Sequence, residues 1–420
     1  MFPEVIDVAV IGAGPAGLAA AIKAREAGAE NVTIIERAEQ PGGLLHQCIH
    51  DGFGLIYFNE NMTGPEYARR FIEKAMDLKI DLLLETMVLD LTAGKNITIS
   101  NKAGVVTLHA NAVVLAMGCR ERTRHQIMIP GTRPAGVFTA GTAQRYVNVE
   151  GYLPGKRVVI LGSGDVGMIM ARRLTLEGVR VEAVVEILPY IGGLIRNEVQ
   201  CLHDFEIPLF LEHTVTEVRG LKRVEGVTIA RIDRGGEPIA GTEKTLECDT
   251  LLTSVGLIPE NELSLKAGIR LDPVTGGPVV NNMMETSIPG IFAGGNVVHV
   301  NDLVDNVTLE SEIAGAGATD MAMGKVPPAR EKIRLRAGEN VRYIIPHTIE
   351  TEKELFLSLR VKEPAEKVTV RIGDIAAKSL RVVKPSEMLK IDLTKEQLGE
   401  IQGKVSEVEV SCRKRGKGNA

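Results

Sequence analysis

The chain has 420 residues, a formal net charge of −5, 44% hydrophobic and 25% charged residues, which suits two or three globular domains and gives no reason to expect nucleic acid as a partner. No apolar run reaches the roughly eighteen residues needed to span a bilayer, and no basic-plus-apolar leader precedes the first strand, so the expected location is the cytoplasm. Five cysteines (Cys48, Cys119, Cys201, Cys248, Cys412) are scattered without a CxxC pair, which argues against a disulfide framework and a zinc knuckle, and no metal is expected.

Val5 to Ile11 has the length and apolarity of a buried strand. Gly12, Gly14 and Gly17 follow, then a helical stretch from Pro15 to Ala27 that stops at Gly28, then a second apolar run from Val32 to Ile35 closing on Glu36. A strand, a tight glycine turn, a helix and a strand ending in an acid form a dinucleotide-binding unit. Gly12 makes the turn, Gly14 lets the backbone approach a pyrophosphate, Gly17 lets helix and strand pack, and Glu36 accepts from a ribose. The phosphates rest on the unpaired amides and positive end of the helix.

The loop Gln40 to Gly54 (QPGGLLHQCIHDGFG) lies past the end of the second strand, at the sheet edge where ligands bind. Thr63 and Pro65 start a helix running through Phe71, Ala75 and Leu78. Ile80–Leu84 and Met87–Leu91 read as strands, Ile97–Ser100 and Val105–Leu108 as a hairpin, and Ala112–Ala116 as another buried strand ending at Met117-Gly118.

The first unit then recurs 150 residues later: Gly162, Gly164 and Gly167 after the strand Arg157–Leu161, Gly178 at the helix end, Glu186 closing Val179–Glu186, and Gly192-Gly193-Leu194 matching Gly42-Gly43-Leu44. The chain therefore holds two dinucleotide sites. Thr214–Val218, Val224–Ile232 and Leu246–Val255 continue the second unit. Ile291–Ala293 opens into Gly294-Gly295-Asn296, and a small-residue helix from Val304 to Met323, ended by Pro327-Pro328, allows close approach of another backbone through Ala314 to Ala318. Beyond residue 330 the texture is that of a small antiparallel β domain, with strands at Val341–Ile345, Leu355–Val361, Lys367–Ile372, Leu380–Val383 and Val405–Val410. Residues 330–420 carry a net +6, leaving −11 on the first 329, and Arg413 to Lys417 read as a frayed basic tail.

The motifs GAGPAG with Glu36, PGG at 41–43, LAMG at 115–118, GSGDVG with Glu186 and GIFAGGN at 290–296 resemble the two-dinucleotide flavoproteins, the pyridine nucleotide–disulfide oxidoreductases and their relatives. Residues 129–148 and 154–167 resemble the flavoprotein subunits of amine, proline and opine dehydrogenases. GGLLHQCIHDGFGL at 42–55 is similar to flavoproteins associated with anaerobic glycerol-3-phosphate dehydrogenases. The resemblance covers residues 5–328 and implies an α/β fold: two Rossmann-like, doubly wound dinucleotide-binding domains. An FAD domain (1–118 and 286–328) is interrupted by an NAD(P) domain (119–285), and a C-terminal β domain (329–420) follows. It places FAD at Gly12, Gly14, Pro15, Ala16, Gly17, Glu36, Arg37, Gly43, Gly118, Gly295 and Asn296, and the nicotinamide cofactor at Gly162, Gly164, Asp165, Val166, Gly167 and Glu186. Glu186 repels a 2′-phosphate and residues 187–193 hold no Arg or Lys to offset it, so NAD(H) is favoured over NADP(H).

Three positions depart from the family pattern: Met117 stands for a common Thr, Asn296 for a common Asp, and the redox pair CxxxxC is missing. Cys48, flanked by His46 and His50, and His299, on the stretch before the small-residue helix, are the candidates for redox and proton-donating roles. The implied activity is FAD-dependent NAD(P)H oxidoreduction, with hydride passing between nicotinamide and flavin. The chain would serve as electron-transfer partner of a companion dehydrogenase, for example one oxidising glycerol 3-phosphate, docked on the C-terminal domain. The alternatives are a stand-alone disulfide, persulfide or quinone reductase using Cys48, and a non-catalytic redox sensor. A homo-oligomer is compatible with all three.

Overall fold

The computed structural model describes residues 5–325, 332–350 and 355–415. The elements that position the sites are, in chain order, β1 (Val8–Ile11), α1 (Pro15–Glu26), β2 (Val32–Ile35), α2 (Gly64–Asp77), β3 (Asp81–Leu83), β4 (Ala112–Leu115), β5 (Val137–Thr139), β6 (Arg157–Leu161), α3 (Asp165–Leu176), β7 (Arg180–Val185), β8 (Leu209–Phe210), β9 (Thr250–Thr253), β10 (Ile291–Ala293) and α4 (Val304–Ala322). They divide between two compact units, one of residues 1–119 with 259–420, the other of residues 120–258.

In the first unit, β1 is buried along its whole length and sits at the centre of a parallel sheet ordered β10-β4-β1-β2-β3. A strand covered on both faces must be continuously apolar, which is why Val8 to Ile11 show no alternation. Reversal of strand order beside β1 puts the glycine turn after β1 and Met117-Gly118 after β4 at the carboxyl edge, where such sheets bind ligands. α4 packs on α1 so closely that a Cβ on Gly315 would lie 2.1 Å from the Ala20 carbonyl oxygen, and Thr319 Oγ1 donates to Ala24 O at 3.1 Å. The small residues of α4 serve that approach. Thr63 caps α2 through a capping box with Glu66, and Pro65 lies in its first turn.

The second unit repeats the arrangement, its parallel sheet ordered β5-β9-β6-β7-β8. The 150-residue offset carries β1 onto the last four residues of β6 and α1 onto α3, residue for residue. Leu246–Val255, expected as one strand, is two: Lys244–Glu247 belongs to an antiparallel three-stranded sheet and β9 to the parallel one. The break falls at Asp249, whose carboxylate accepts from Lys156 N and Arg157 N.

The inserted unit ends at Ile258 rather than near residue 285. Ala267, Ile269, Val280, Met283 and Met284 are buried in the core of the first unit, which draws the segment 259–285 there. The C-terminal strands form a five-stranded and a three-stranded sheet around a separate apolar core containing Ile333, Leu357, Leu359, Val368, Val370 and Val410. A short helix, Lys395–Ile401, interrupts the otherwise all-β pattern. Arg413 and Lys414 are no frayed tail: they end the strand Glu407–Lys414, which pairs with Ala365–Ile372, and Arg413 contacts Glu339 at 3.1 Å. Gly416 and Lys417, like Pro327-Pro328, lie outside the described residues.

Candidate functional site

The first cradle is built by β1, the turn and α1. Gly12 has φ +106°, and its Cβ would lie 2.5 Å from Ala116 O; a Cβ on Gly17 would lie 1.8 Å from Gly12 O. Both glycines exist for backbone packing. Gly14 differs: a Cβ there meets nothing within 4 Å, and it stands immediately before α1 with no side-chain cap on the helix amides. That open space at a helix head suits a phosphate. Gly43 (φ +57°) folds against Gly14, and Gly118 (φ +71°) opens onto space. Glu36 is buried, its Oε2 accepting from Ala13 N at 2.7 Å and its Oε1 from Ala38 N at 2.8 Å. Pro15 and Ala16 form the first turn of α1, where Ala16 Cβ lies 3.0 Å from the Cβ position of Gly295. Arg37 is exposed.

Below this turn, Asn296 Oδ1 accepts from Asn301 N at 2.9 Å and its Nδ2 approaches Cys119 Sγ at 3.7 Å. Asp305 Oδ2, Asn306 Oδ1 and Ser311 Oγ, all on α4, are buried without a hydrogen-bond partner among the described residues. Ser311 Oγ lies 2.8 Å from the Cβ position of Gly294. A buried polar atom left unpaired beside this glycine, as Ser311 Oγ is, fits a polar ligand such as a flavin nucleotide. No local pattern in the chain distinguishes these three from other polar residues of a helix.

In the second cradle a Cβ on Gly162 would lie 2.1 Å from Ser254 O, and a Cβ on Gly167 would lie 2.8 Å from Gly162 O. The Gly164 position has Ser254 Oγ at 3.3 Å as its nearest neighbour. Glu186 is buried and accepts from Ser163 N at 2.8 Å, Ser163 Oγ at 2.6 Å and Leu188 N at 2.9 Å. Asp165 Oδ1 accepts from Leu194 N and Asn197 Nδ2, which ties the Gly192-Gly193 loop to the head of α3, while Val166 is half-buried there.

Cys48 follows the single-turn helix Gly43–Gln47, its Sγ directed at Leu44 O at 3.3 Å. Burial pushes its thiol up to about 12. His46 Nε2 is bonded to Pro41 O at 2.6 Å and His50 Nδ1 to Asp51 O at 2.9 Å. This environment disfavours a thiolate, opposite to what a redox relay needs. His299 is buried against α4 and the C-terminal domain, with Nε2 3.0 Å from Glu310 and Nδ1 3.5 Å from the Tyr343 hydroxyl. Glu310 also accepts from Ser358 Oγ at 3.0 Å and Asn301 Nδ2 at 3.3 Å. Burial alone would raise the Glu310 carboxyl, but the charge and hydrogen bond of His299, with Lys390 and Ser358, hold it below the usual range. Arg360 bonds Tyr343 Oη, Pro385 O, Val300 O and Asp302, and so staples the C-terminal domain to the segment leading into α4. His299 thus belongs to a buried polar joint. His347, too, is structural, accepting from Val280 N at 3.1 Å.

Two glycine cradles at the carboxyl edges of two parallel sheets, each closed by a buried glutamate, define an α/β scaffold for binding two nucleotides. The family model described as pyridine nucleotide-disulphide oxidoreductase matches residues 6–317, and the chain belongs to that family. As its members do, it works as an FAD-containing NAD(P)H oxidoreductase. It is 25% identical to an opine oxidase subunit of Agrobacterium tumefaciens (strain Ach5) over 405 residues, 89% of this chain and 78% of that protein. It is 26% identical to hydrogen cyanide synthase subunit HcnB of Pseudomonas protegens over 63% of this chain, spanning only 59% of that relative's length. Among solved structures, thioredoxin reductase from T. acidophilum superposes with a TM-score of 0.62 at 25% identity, covering 76% of this chain and 100% of that one. Among the described residues, no helix is long and apolar enough to cross a membrane.

Proposed function

We propose that the protein holds FAD in the first cradle and NAD(H) in the second, and passes the flavin's electrons to or from a companion dehydrogenase subunit. FAD and nicotinamide supply the hydride chemistry when bound; the residues of this chain align and hold them. The observation carrying the nucleotide assignment is the repeated glutamate: both Glu36 and Glu186 are buried and fixed by backbone amides. Beside Glu186, a 2′-phosphate would face a buried carboxylate with no Arg or Lys in residues 187–193, which favours NAD(H) over NADP(H). The domain partition 1–118 with 286–328, 119–285 and 329–420 is kept as a functional division, adjusted at residue 258 by the compact units.

The partnered role draws support from the two relatives named as subunits. It also draws support from the missing CxxxxC pair and the suppressed acidity of Cys48, which leave a free-standing disulfide reductase without its nucleophile. The test is Gly164→Val, whose added methyls would fill the approach to the second cradle. The variant should retain FAD and lose flavin reduction by NADH. Reduction at the wild-type rate removes the assignment of the second site. Co-purification of the native protein tests the partner, and a protein that runs alone while turning over NADH with a disulfide at full rate contradicts it.

A further inference from the structure

The two cradles match in sequence at an offset of 150; besides Pro15 against Asp165 and Ala16 against Val166, they differ at two positions where a serine hydroxyl replaces an alanine methyl. Ala13 becomes Ser163 in the second unit. Ala116, which follows β4 and backs Gly12, is matched by Ser254, which follows β9 and backs Gly162 in the same way. Each serine hydroxyl makes hydrogen bonds that the alanine at the matching position of the first cradle cannot make. Ser163 Oγ donates to Glu186 Oε2 at 2.6 Å while accepting from Gly192 N at 2.8 Å. Ser254 Oγ accepts from Gly167 N at 3.1 Å, one of the amides at the head of α3 that a helix cannot satisfy internally.

The difference can be counted in hydrogen bonds. A carboxylate offers about four acceptor positions. Among the described residues, Glu36 accepts two bonds, one on each oxygen, so both oxygens remain able to accept from a ribose diol. Glu186 accepts three, two of them on Oε2, and keeps its spare capacity mainly on Oε1. In the first cradle the amide equivalent to Gly192, that of Gly42, bonds the Ala13 carbonyl at 2.7 Å instead of a side chain.

We infer that Ser163 and Ser254 are affinity-setting residues: they satisfy the second cradle internally, so that its dinucleotide binds more loosely than the one in the first and exchanges at each turnover. A resident cofactor and a dissociating one need different affinities from nearly the same backbone, and these two alanine-to-serine differences contribute to that contrast. Neither serine need touch the nucleotide; Ser163 acts through Glu186, Ser254 through the Gly167 amide. The inference rests on the proposed occupancy of the second cradle by NAD(H).

The test uses ADP-ribose, which carries the adenosine, pyrophosphate and ribose but no redox group, titrated calorimetrically into the FAD-loaded protein. Ser163→Ala and Ser254→Ala each remove one oxygen atom and add no bulk. Each variant should bind ADP-ribose more tightly, by about tenfold for one charge-assisted bond regained at Glu186 and less at the neutral amide. The KM for NADH should fall with them. The reciprocal Ala13→Ser should lose FAD faster on dialysis, read from flavin absorbance. Circular dichroism confirms that each variant is folded. Unchanged or weaker ADP-ribose binding by folded Ser163→Ala and Ser254→Ala overturns the inference while leaving the second site intact. A wild-type protein that binds no ADP-ribose overturns the occupancy reading and this inference with it.

Discussion

Gly14 and Gly17 stand three residues apart on the same turn, and the structure assigns them opposite consequences on replacement by alanine. At Gly17 the added Cβ would lie 1.8 Å from the Gly12 carbonyl oxygen, a backbone atom that cannot move without displacing β1. Gly17→Ala should therefore fail to fold. At Gly14 the Cβ meets nothing within 4 Å, and φ −72° with ψ −175° is ordinary extended backbone open to any residue. The lost chain freedom of the unfolded state favours Gly14→Ala by about 0.4–1 kcal/mol. Alanine is the poorer residue at the position before a helix, which offsets this by a similar amount. The ligand-free variant should thus match the wild type within about 1 kcal/mol, or a few degrees in melting temperature. Its effect falls on the ligand, because the new methyl occupies the space through which a pyrophosphate reaches the head of α1. Wild-type protein with FAD at a hundredfold excess over Kd gains about 2.7 kcal/mol, and the variant should gain almost none. Thermal melts followed by circular dichroism with and without added FAD, together with flavin absorbance after gel filtration, measure both halves. A folded Gly14→Ala variant that retains FAD stoichiometrically refutes the assignment of this cradle.

With its thiol pushed up to about 12, Cys48 is only about one part in 10⁴ thiolate at pH 8, so iodoacetamide should modify it about a thousandfold more slowly than an ordinary cysteine. Cys48→Ser should leave dye-linked NADH oxidation unchanged, and a loss of turnover restores the relay reading. Glu310→Leu removes one member of a buried pair with His299 and should destabilise the first unit by about 3–5 kcal/mol in urea unfolding. The Glu310 carboxyl is depressed in the folded state, so its contribution is present above the ordinary carboxylate range and is lost as pH falls through the lower folded value. The acid-unfolding midpoint should accordingly move up in Glu310→Gln.

The two cradles were legible because their physics is local. A continuously apolar strand, a glycine that must accept φ above +90°, and an acid at the end of the next strand are fixed by neighbours in the chain, so Gly12, Gly162, Glu36 and Glu186 all lie where their spacing puts them. The capping of α2 by Thr63 was readable for the same reason. Domain limits were not, since they depend on which core receives a segment: nothing in residues 259–285 announces that Ile269 and Met283 pack into the first unit. His299 shows the failure most clearly. Its position before a helix suggested chemistry, yet its surroundings are set by Tyr343 and Ser358, 44 and 59 residues further along the chain, whose hydroxyls complete a polar joint around Glu310.

That contrast bears on what the C-terminal domain does. Arg360 has its donors committed to Tyr343 within the domain, to the Pro385 carbonyl, and to Val300 and Asp302 outside it. A buried guanidinium is costly unless every donor finds a partner, and here the partners come from both sides of the junction. Removing the domain would take Arg360 and Met388 N from Asp302, Ser358 from Glu310 and Tyr343 from His299, beside the helix whose Ser311 lies against Gly294. A domain held only as a docking platform for a companion protein would need no such joint, so the C-terminal sheets also form part of the structural support of the first unit.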